Sequence, residues 1–229
     1  MSLRVLTWNL LHGRSDPPAG RYLLDEFTAA LAGWEWDAAL LQEVPPWWPP
    51  LLAERLGAQH RLVLTSRIAA LPLRRAVATR WPDLIRSNGG GANAILVRGL
   101  GIDAHRTLRL RRLPERRRLL GVRLAGGLWL GTLHASVRDD ARARREAALA
   151  ARTMLSWAAG APVVLAGDFN VRSLTLDRFD YAGGFDVDLV FVAGLAAPGR
   201  AEMLDRGTLS DHAPVAVTLV AERDADQAS

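Results

Sequence analysis

Val163-Val164-Leu165-Ala166-Gly167-Asp168-Phe169-Asn170 is the stretch that decides the fold. The apolar run, entered from Pro162, is too short for a helix and has no polar face, so it reads as a strand buried on both sides. It gives way at Gly167 to a carboxylate, Asp168, and two residues later to an amide, Asn170. The arrangement recurs: Val5 to Trp8 leads to Asn9, Ala39-Leu40-Leu41 to Gln42-Glu43, and Trp129 to Leu133 to His134. Asp188 opens the apolar run Leu189-Val190-Phe191, and Ser210-Asp211-His212 precedes another. In α/β architectures, groups just past the carboxyl ends of buried strands gather at one rim of the sheet. Buried carboxylates need partners there, and a shared divalent cation supplies one.

Around these runs, strands and helices alternate. Strands are expected at Arg4–Trp8, Ala38–Leu41, Arg61–Thr65, Ala94–Val97, Leu119–Leu124, Leu128–Leu133, Pro162–Ala166, Val187–Val192 and Pro214–Val220. Gly126-Gly127 signals a hairpin. Helical spacing of apolar residues predicts helices over Arg21–Trp34, Trp47–Leu56 and Arg138–Trp157, the last ended by Gly160 and Pro162. No linker divides the chain and no internal repeat is found. One domain over 1–221 is expected, with a polar tail at 222–229.

With 49% apolar residues in 229, the chain can build a sizeable core. It has no cysteine, which excludes disulfides and thiolate metal sites. No apolar run is long enough to span a membrane and no signal peptide is evident, so a cytoplasmic monomer without stable membrane association is expected. All 29 basic residues are arginine, giving a pI near 10.9 on a net charge of +5. The positive field favours polyanionic substrates, although an arginine-only complement also reflects compositional drift. The arginines cluster from Arg109 to Arg118, as a solvated hairpin or as a phosphate-binding patch. Gly89-Gly90-Gly91 lacks the following Lys-Ser/Thr of a P-loop and reads as a flexible loop.

The donor types point to the metal. Glu43, Asp168, Asp211 and the amides are hard oxygen donors, while the five histidines are scattered singly, so Mg²⁺ or Mn²⁺ is favoured over Zn²⁺. A hard cation beside carboxylates and imidazoles suits phosphoester hydrolysis.

In order from residue 7 to residue 214, these segments resemble the motifs of the endonuclease/exonuclease/phosphatase superfamily. They are Thr7-Trp8-Asn9, Leu41-Gln42-Glu43, Thr132-Leu133-His134, Gly167-Asp168-Phe169-Asn170, Asp188 and Ser210-Asp211-His212-Ala213-Pro214. The resemblance implies a four-layer αββα sandwich of two packed, largely antiparallel sheets flanked by helices. It also implies site roles. Glu43 would be the main metal ligand, with Asn9 in or beside the shell and Asp211 binding directly or through water. Asp168 would align or deprotonate the attacking water, and Asn170 would hold that water and a phosphate oxygen. His212, oriented by Asp188, would contact the scissile phosphate, and His134 would donate to the phosphate or the leaving group.

The leading expectation is a Mg²⁺-dependent phosphodiesterase acting as a nuclease on nucleic acid. The alternatives are a phosphomonoesterase or phospholipase-type enzyme on a small or lipid substrate, and a catalytically silent nucleic-acid-binding module. Binding alone would not need Glu43, Asp168, Asn170, Asp211 and His212. Further candidates stay open. His12 reads as a loop hydrogen-bonder or a substrate contact, and Trp47 and Trp48 as helix anchors or a stacking rim. Asn93 could cap a turn or touch substrate, and Arg116 could face a phosphate; Asp186 competes with Asp188 for one role. His60 and His105 read as ordinary surface or strand residues. Only Tyr22 and Tyr181 are present, neither in a pocket context, and the interval from Asn170 to Asp188 is short. That brevity disfavours an abasic-site endonuclease and elaborate lipid-binding loops.

Overall fold

The computed structural model describes residues 2–66, 70–84, 91–113 and 115–222. Gly89-Gly90 and the tail beyond Glu222 lie outside them. One sheet contains β1 (Ser2–Asn9), β2 (Ala38–Val44), β3 (Gln59–Leu64), β4 (Ala92–Val97), β11 (Leu195–Ala196), β12 (Glu202–Met203) and β13 (Val215–Ala221). The other contains β5 (Ile102–Arg111), β6 (Arg117–Leu124), β7 (Trp129–His134), β8 (Val163–Asp168), β9 (Asp180–Phe185) and β10 (Asp188–Ala193). Their orders are β11-β13-β1-β2-β4-β3, with β12 also on β13, and β5-β6-β7-β8-β10-β9. β1–β2 and β7–β8 are parallel; every other pairing is antiparallel.

The four layers follow from period-2 alternation. Val5, Leu40, Ile95, Leu120, Leu130, Val164 and Val190 point inward and form the core between the sheets. The alternate residues point outward. Leu6, Trp8, Ala39 and Leu41 pack under α1 (Leu24–Gly33) and α2 (Trp48–Leu56). Leu119, Trp129, Leu133 and Leu165 pack under the alanine stripe of α4 (Asp140–Ala158). Each buried leucine or valine contributes on the order of 1.5–3 kcal/mol. The same parity carries the inward face onto Asn9, Gln42, His134, Asp168 and Asp188, so these groups lie where the apolar core ends.

The strands run further than their apolar stretches suggest. β2 continues to Val44, β7 to His134 and β8 to Asp168, with His134 paired to Asp168 and Asn9 to Gln42 in the ladders. The polar groups are therefore held by strand hydrogen bonds rather than by loops. Gly167 is required here: its φ is +153°, and a Cβ would stand 2.2 Å from the Leu133 carbonyl oxygen. That close approach sets Asp168 beside His134.

Some elements were not expected. α3 (Leu71–Arg80) buries only Ala78, so it has no apolar stripe to read. β9 carries Gly183-Gly184 inside the strand, and β11 and β12 are two residues each. β5 was foreseen only at the arginine end of the hairpin.

Candidate active site

Asp168, at the end of β8, is the hub. Its Oδ2 accepts from Asn9 Nδ2 at 2.9 Å and its Oδ1 from the Asn170 N–H at 3.0 Å. The His134 Nε2 lies 3.4 Å and the His212 Nε2 3.8 Å from the same Oδ2. The Nδ1 of His212 donates to Asp188 Oδ2 at 2.6 Å, and its Nε2 is 3.8 Å from Asp211 Oδ1. Asp186 is instead turned outward onto Arg172, so Asp188 is the carboxylate that meets His212.

The segment carrying His212 is tied to β1. Ser210 Oγ donates to the Asn9 carbonyl at 2.6 Å and accepts the His212 N–H at 3.1 Å, while Trp8 Nε1 donates to the His212 carbonyl at 3.0 Å. Asn170 Nδ2 donates to the Ala135 carbonyl at 3.2 Å, joining the exits of β7 and β8. Glu43, Asn170 and Ser210 all have left-handed backbones, with φ of 50°, 52° and 63°. For non-glycine residues that costs on the order of 1 kcal/mol each, and it re-aims their side chains toward the rim.

Glu43 sits at a bulge between Leu41 and Val44. Its Oε2 is 3.2 Å from His12 Nε2 and its Oε1 3.4 Å from His134 Nδ1. His134 thus lies between Glu43 and Asp168, and no hydrogen bond closes either separation. Gln42 is not part of this pocket. Fully buried, its Nε2 donates to Thr7 Oγ1, Leu40 O and Thr132 Oγ1, tying the two sheets together beneath the site.

Burial and neighbouring charge set the protonation states. Burial raises Asp168, the Asp188 charge adds to it, and the pKa reaches about 7 although His212, Asn9 and Asn170 pull it down. Burial alone would lower His212. The Asp188 hydrogen bond and charge override it, with Asp168 and Asp211 behind, and lift the ring to about 9. His134 is held well below the usual histidine value, first by burial and then by the charges of Arg117, His212 and His12. At neutral pH the pocket therefore holds an imidazolium, a neutral imidazole and a carboxylate poised to take a proton.

Residues beyond the expected set also converge. His12 faces Glu43, so it lies in the pocket. Arg117, not Arg116, is the buried arginine whose charge reaches His134. Asn93 is buried, with Nδ2 on the Arg118 carbonyl and Oδ1 unpartnered. Ser136 and Glu146 form a buried pair just past His134. The one sequence signal for that pair is a glutamate set in the alanine face of α4. Trp47 and Trp48 are buried and both donate to Tyr22 Oη, so they anchor α2 rather than line the rim. His60 and His105 lie on β3 and β5, outside the pocket. A surface cavity of about 680 Å³ beside Asp180–Gly184 and Leu195 is lined by none of the candidate groups.

The donor set fits a hard divalent cation. Four carboxylates, Glu43, Asp168, Asp188 and Asp211, are chained through two imidazoles, His134 and His212, with His12 on the far side of Glu43. Asp188 Oδ1 is buried without a partner, and like charge helps to hold Asp168 abnormally high. Asp168, Asp188 and His212 do bring donor atoms within 4.8 Å of one another. Within that trio Asp188 and His212 are bonded to each other at 2.6 Å. Glu43, with only loose imidazole contacts, is a further carboxylate that could hold a metal. The Asn9 oxygen already accepts the Leu11 N–H at 3.0 Å, leaving its second lone pair for that role.

Residues 6–212 match the model of the Endonuclease/Exonuclease/phosphatase family. A family protein from Bacteroides thetaiotaomicron aligns with a TM-score of 0.71 and 18% identity, covering 98% of this chain and 96% of its own. The mannosyl-6-phosphatase Bt3783 of the same organism gives 0.70 and 18%, covering 95% and 99%. The human Nocturnin catalytic domain gives 0.71 and 16%, covering 96% and 94%. No curated protein matches the sequence. At these identities the structures establish the shared fold. Among the described residues, no helix is long and apolar enough to cross a membrane.

Proposed function

The chain belongs to the endonuclease/exonuclease/phosphatase family of metal-dependent phosphoester hydrolases, and from that premise we propose that it is a phosphodiesterase acting as a nuclease. The observation that carries the hydrolase part of the reading is the pairing across one gap. Asp168, at about 7, and the His212 Nε2, on a ring held protonated near 9, lie 3.8 Å apart.

Asp168 is oriented by Asn9 and Asn170 and takes the proton of the attacking water as the new P–O bond forms. A pKa close to the working pH suits that task. His212, fixed by Asp188, presents Nε2–H to a phosphate oxygen and stabilises the charge that develops there. Asn170 helps to hold the water. His134, neutral and set between Glu43 and Asp168 at 3.4 Å from each, keeps the two carboxylates apart; with Glu43 taken up by a cation, its Nδ1–H would be available to the leaving side. Glu43 would hold the cation, with Asn9 and Asp211 beside it. A bound Mg²⁺ or Mn²⁺ supplies neutralisation of the phosphate oxygens and of the leaving oxyanion.

The arginine hairpin favours a polyanion. Arg111 bonds Ser136 Oγ and the Arg117 charge reaches His134, so the hairpin shares the rim with the candidate site. A lipid phosphodiester is the second reading, favoured by exposed Leu113, Val137, Phe185 and Met203 on rim segments. One panel separates them: plasmid, single-stranded DNA, RNA, inositol phosphates and sphingomyelin, each with Mg²⁺ and with EDTA. Mg²⁺-dependent cleavage of nucleic acid that EDTA abolishes is expected. Turnover of lipid or monoester alone would overturn the nuclease reading.

A further inference from the structure

The positive charge of the chain is concentrated beside the candidate site. Residues 109–118 carry six arginines and one glutamate, and residues 137–146 four arginines and three acids; together they hold +6, while the whole chain holds +5. The fold sets the two segments side by side. Arg111 Nη1 donates to Ser136 Oγ at 2.8 Å, and Ser136 gives both its N–H and its O–H to the Glu146 carboxylate at 2.7 Å. This clamp joins the β5–β6 hairpin, the exit of β7 and the start of α4, two residues beyond His134. Next to it lies a depression of about 380 Å³, lined by Arg111, Arg142, Arg145 and Glu146 with Leu113 and Leu149.

Glu146 is fully used by Ser136, and Arg142 is 3.2 Å from Asp139. Among the described residues, Arg109, Arg112, Arg116, Arg138, Arg144 and Arg145 have no carboxylate partner. Elsewhere Arg4, Arg14, Arg21, Arg55, Arg123 and Arg172 are each held by one, and Arg61, Arg152 and Arg200, which lack one, lie on separate segments. Like charge packed this closely opposes folding unless an anion covers it. A basic surface beside the site, with Arg117 held by Glu115 and Arg142 by Asp139 but six arginines without a carboxylate, suits a row of phosphates. Neither segment contains an aromatic side chain, so it suits backbone contact rather than base stacking.

We propose that this surface is the track for the polynucleotide beyond the scissile bond, with the depression between the β5–β6 hairpin and α4 taking flanking backbone phosphates. The inference rests on the nuclease reading and adds where the strand runs. It makes recognition sequence-independent and dependent on substrate length.

The test compares wild type with an R142A/R145A double variant, which keeps the Asp139 cap on the Arg142 N–H and favours helix. Two substrates are used: an oligonucleotide of roughly thirty nucleotides and bis(p-nitrophenyl) phosphate. The expected result is a KM for the oligonucleotide raised at least about tenfold, with a log–log salt slope smaller by about 1 to 2. Kinetics on the small diester stay unchanged, and R142K/R145K restores the oligonucleotide KM. Unchanged oligonucleotide KM, or equal losses on both substrates, overturns the track while leaving the nuclease reading intact. Turnover of the small diester with no oligonucleotide cleavage in wild type defeats the nuclease reading itself. Loss of binding to phosphatidylserine vesicles in R142A/R145A, with oligonucleotide kinetics untouched, reassigns the surface to an anionic membrane.

Discussion

The two halves of the pocket are finished to different degrees. On one side His212 is locked to Asp188 at 2.6 Å, and Asp168 is held from two directions at 2.9 and 3.0 Å. On the other side Glu43 meets His12 and His134 only at 3.2 and 3.4 Å, from a bulged, left-handed backbone. The first half is positioned by its own hydrogen bonds, although Asp188 Oδ1 is buried without a partner. The second gathers negative charge that its imidazoles do not fully answer. In the proposed mechanism the difference divides the labour: protein groups position the proton acceptor and the charge stabiliser, and a cation would complete the Glu43 side.

Substitution should separate the halves. Asp168→Asn and His212→Ala are each expected to lower kcat at least about a hundredfold, as for a lost base or charge stabiliser. The Mg²⁺ concentration giving half-maximal activity should stay within about threefold in both, since neither group is the proposed ligand. Glu43→Gln should raise that concentration at least about tenfold. Steady-state kinetics against metal concentration read all three, and equal metal shifts would erase the division.

The next effect is on pH. The rate on a small diester should rise through about pH 7 as Asp168 ionises and fall through about pH 9 as His212 loses its proton. Asp188→Asn removes the group that lifts His212, so the falling limb should move down by about 1 unit or more. Folding of the metal-free protein carries opposite signs at the two groups. The raised His212 stabilises fully below about 6.5 and loses that contribution as pH passes through about 9. Asp168 ionises near 3.8 in the unfolded chain but near 7 when folded, so it costs stability progressively between those values. Urea titrations across this range check both, and a stability that keeps climbing from pH 4 to 7 would contradict the Asp168 assignment.

The smallest effect concerns backbone. Ala159 ends α4 in a left-handed conformation, φ 49°, far from the pocket in sequence and role. Ala159→Gly should stabilise by about 1 kcal/mol with activity unchanged. Asn170→Gly relieves the same kind of strain, φ 52°, but should cost activity. If both left activity alone, the left-handed site residues would have no functional reason.

Much of this was legible in the sequence because burial and chemistry coincide there. A four-residue apolar run ending in Gly-Asp is readable as a strand and a site at once, and inward parity then aligns Asn9, His134, Asp168 and Asp188. What escaped has no local pattern. α3 lacks an apolar face, and β9 contains two glycines that give no strand signal. The Ser136–Glu146 clamp spans ten residues of chain, and the approach of Arg117 to His134 depends on how β6 lies against β7. His12 was placed near the pocket by proximity to Asn9, but only the fold turns it onto Glu43. Gln42 looked like half of a motif and proved to be a tie between the sheets.

The division of the pocket is tested most directly by imidazole NMR on the metal-free protein, following His212 through a pH titration. The prediction is a ring that stays protonated and hydrogen-bonded to Asp188 until about pH 9 without any cation. A His212 that titrates at or below about 6.5 would show that this half is not preformed, and would contradict the account.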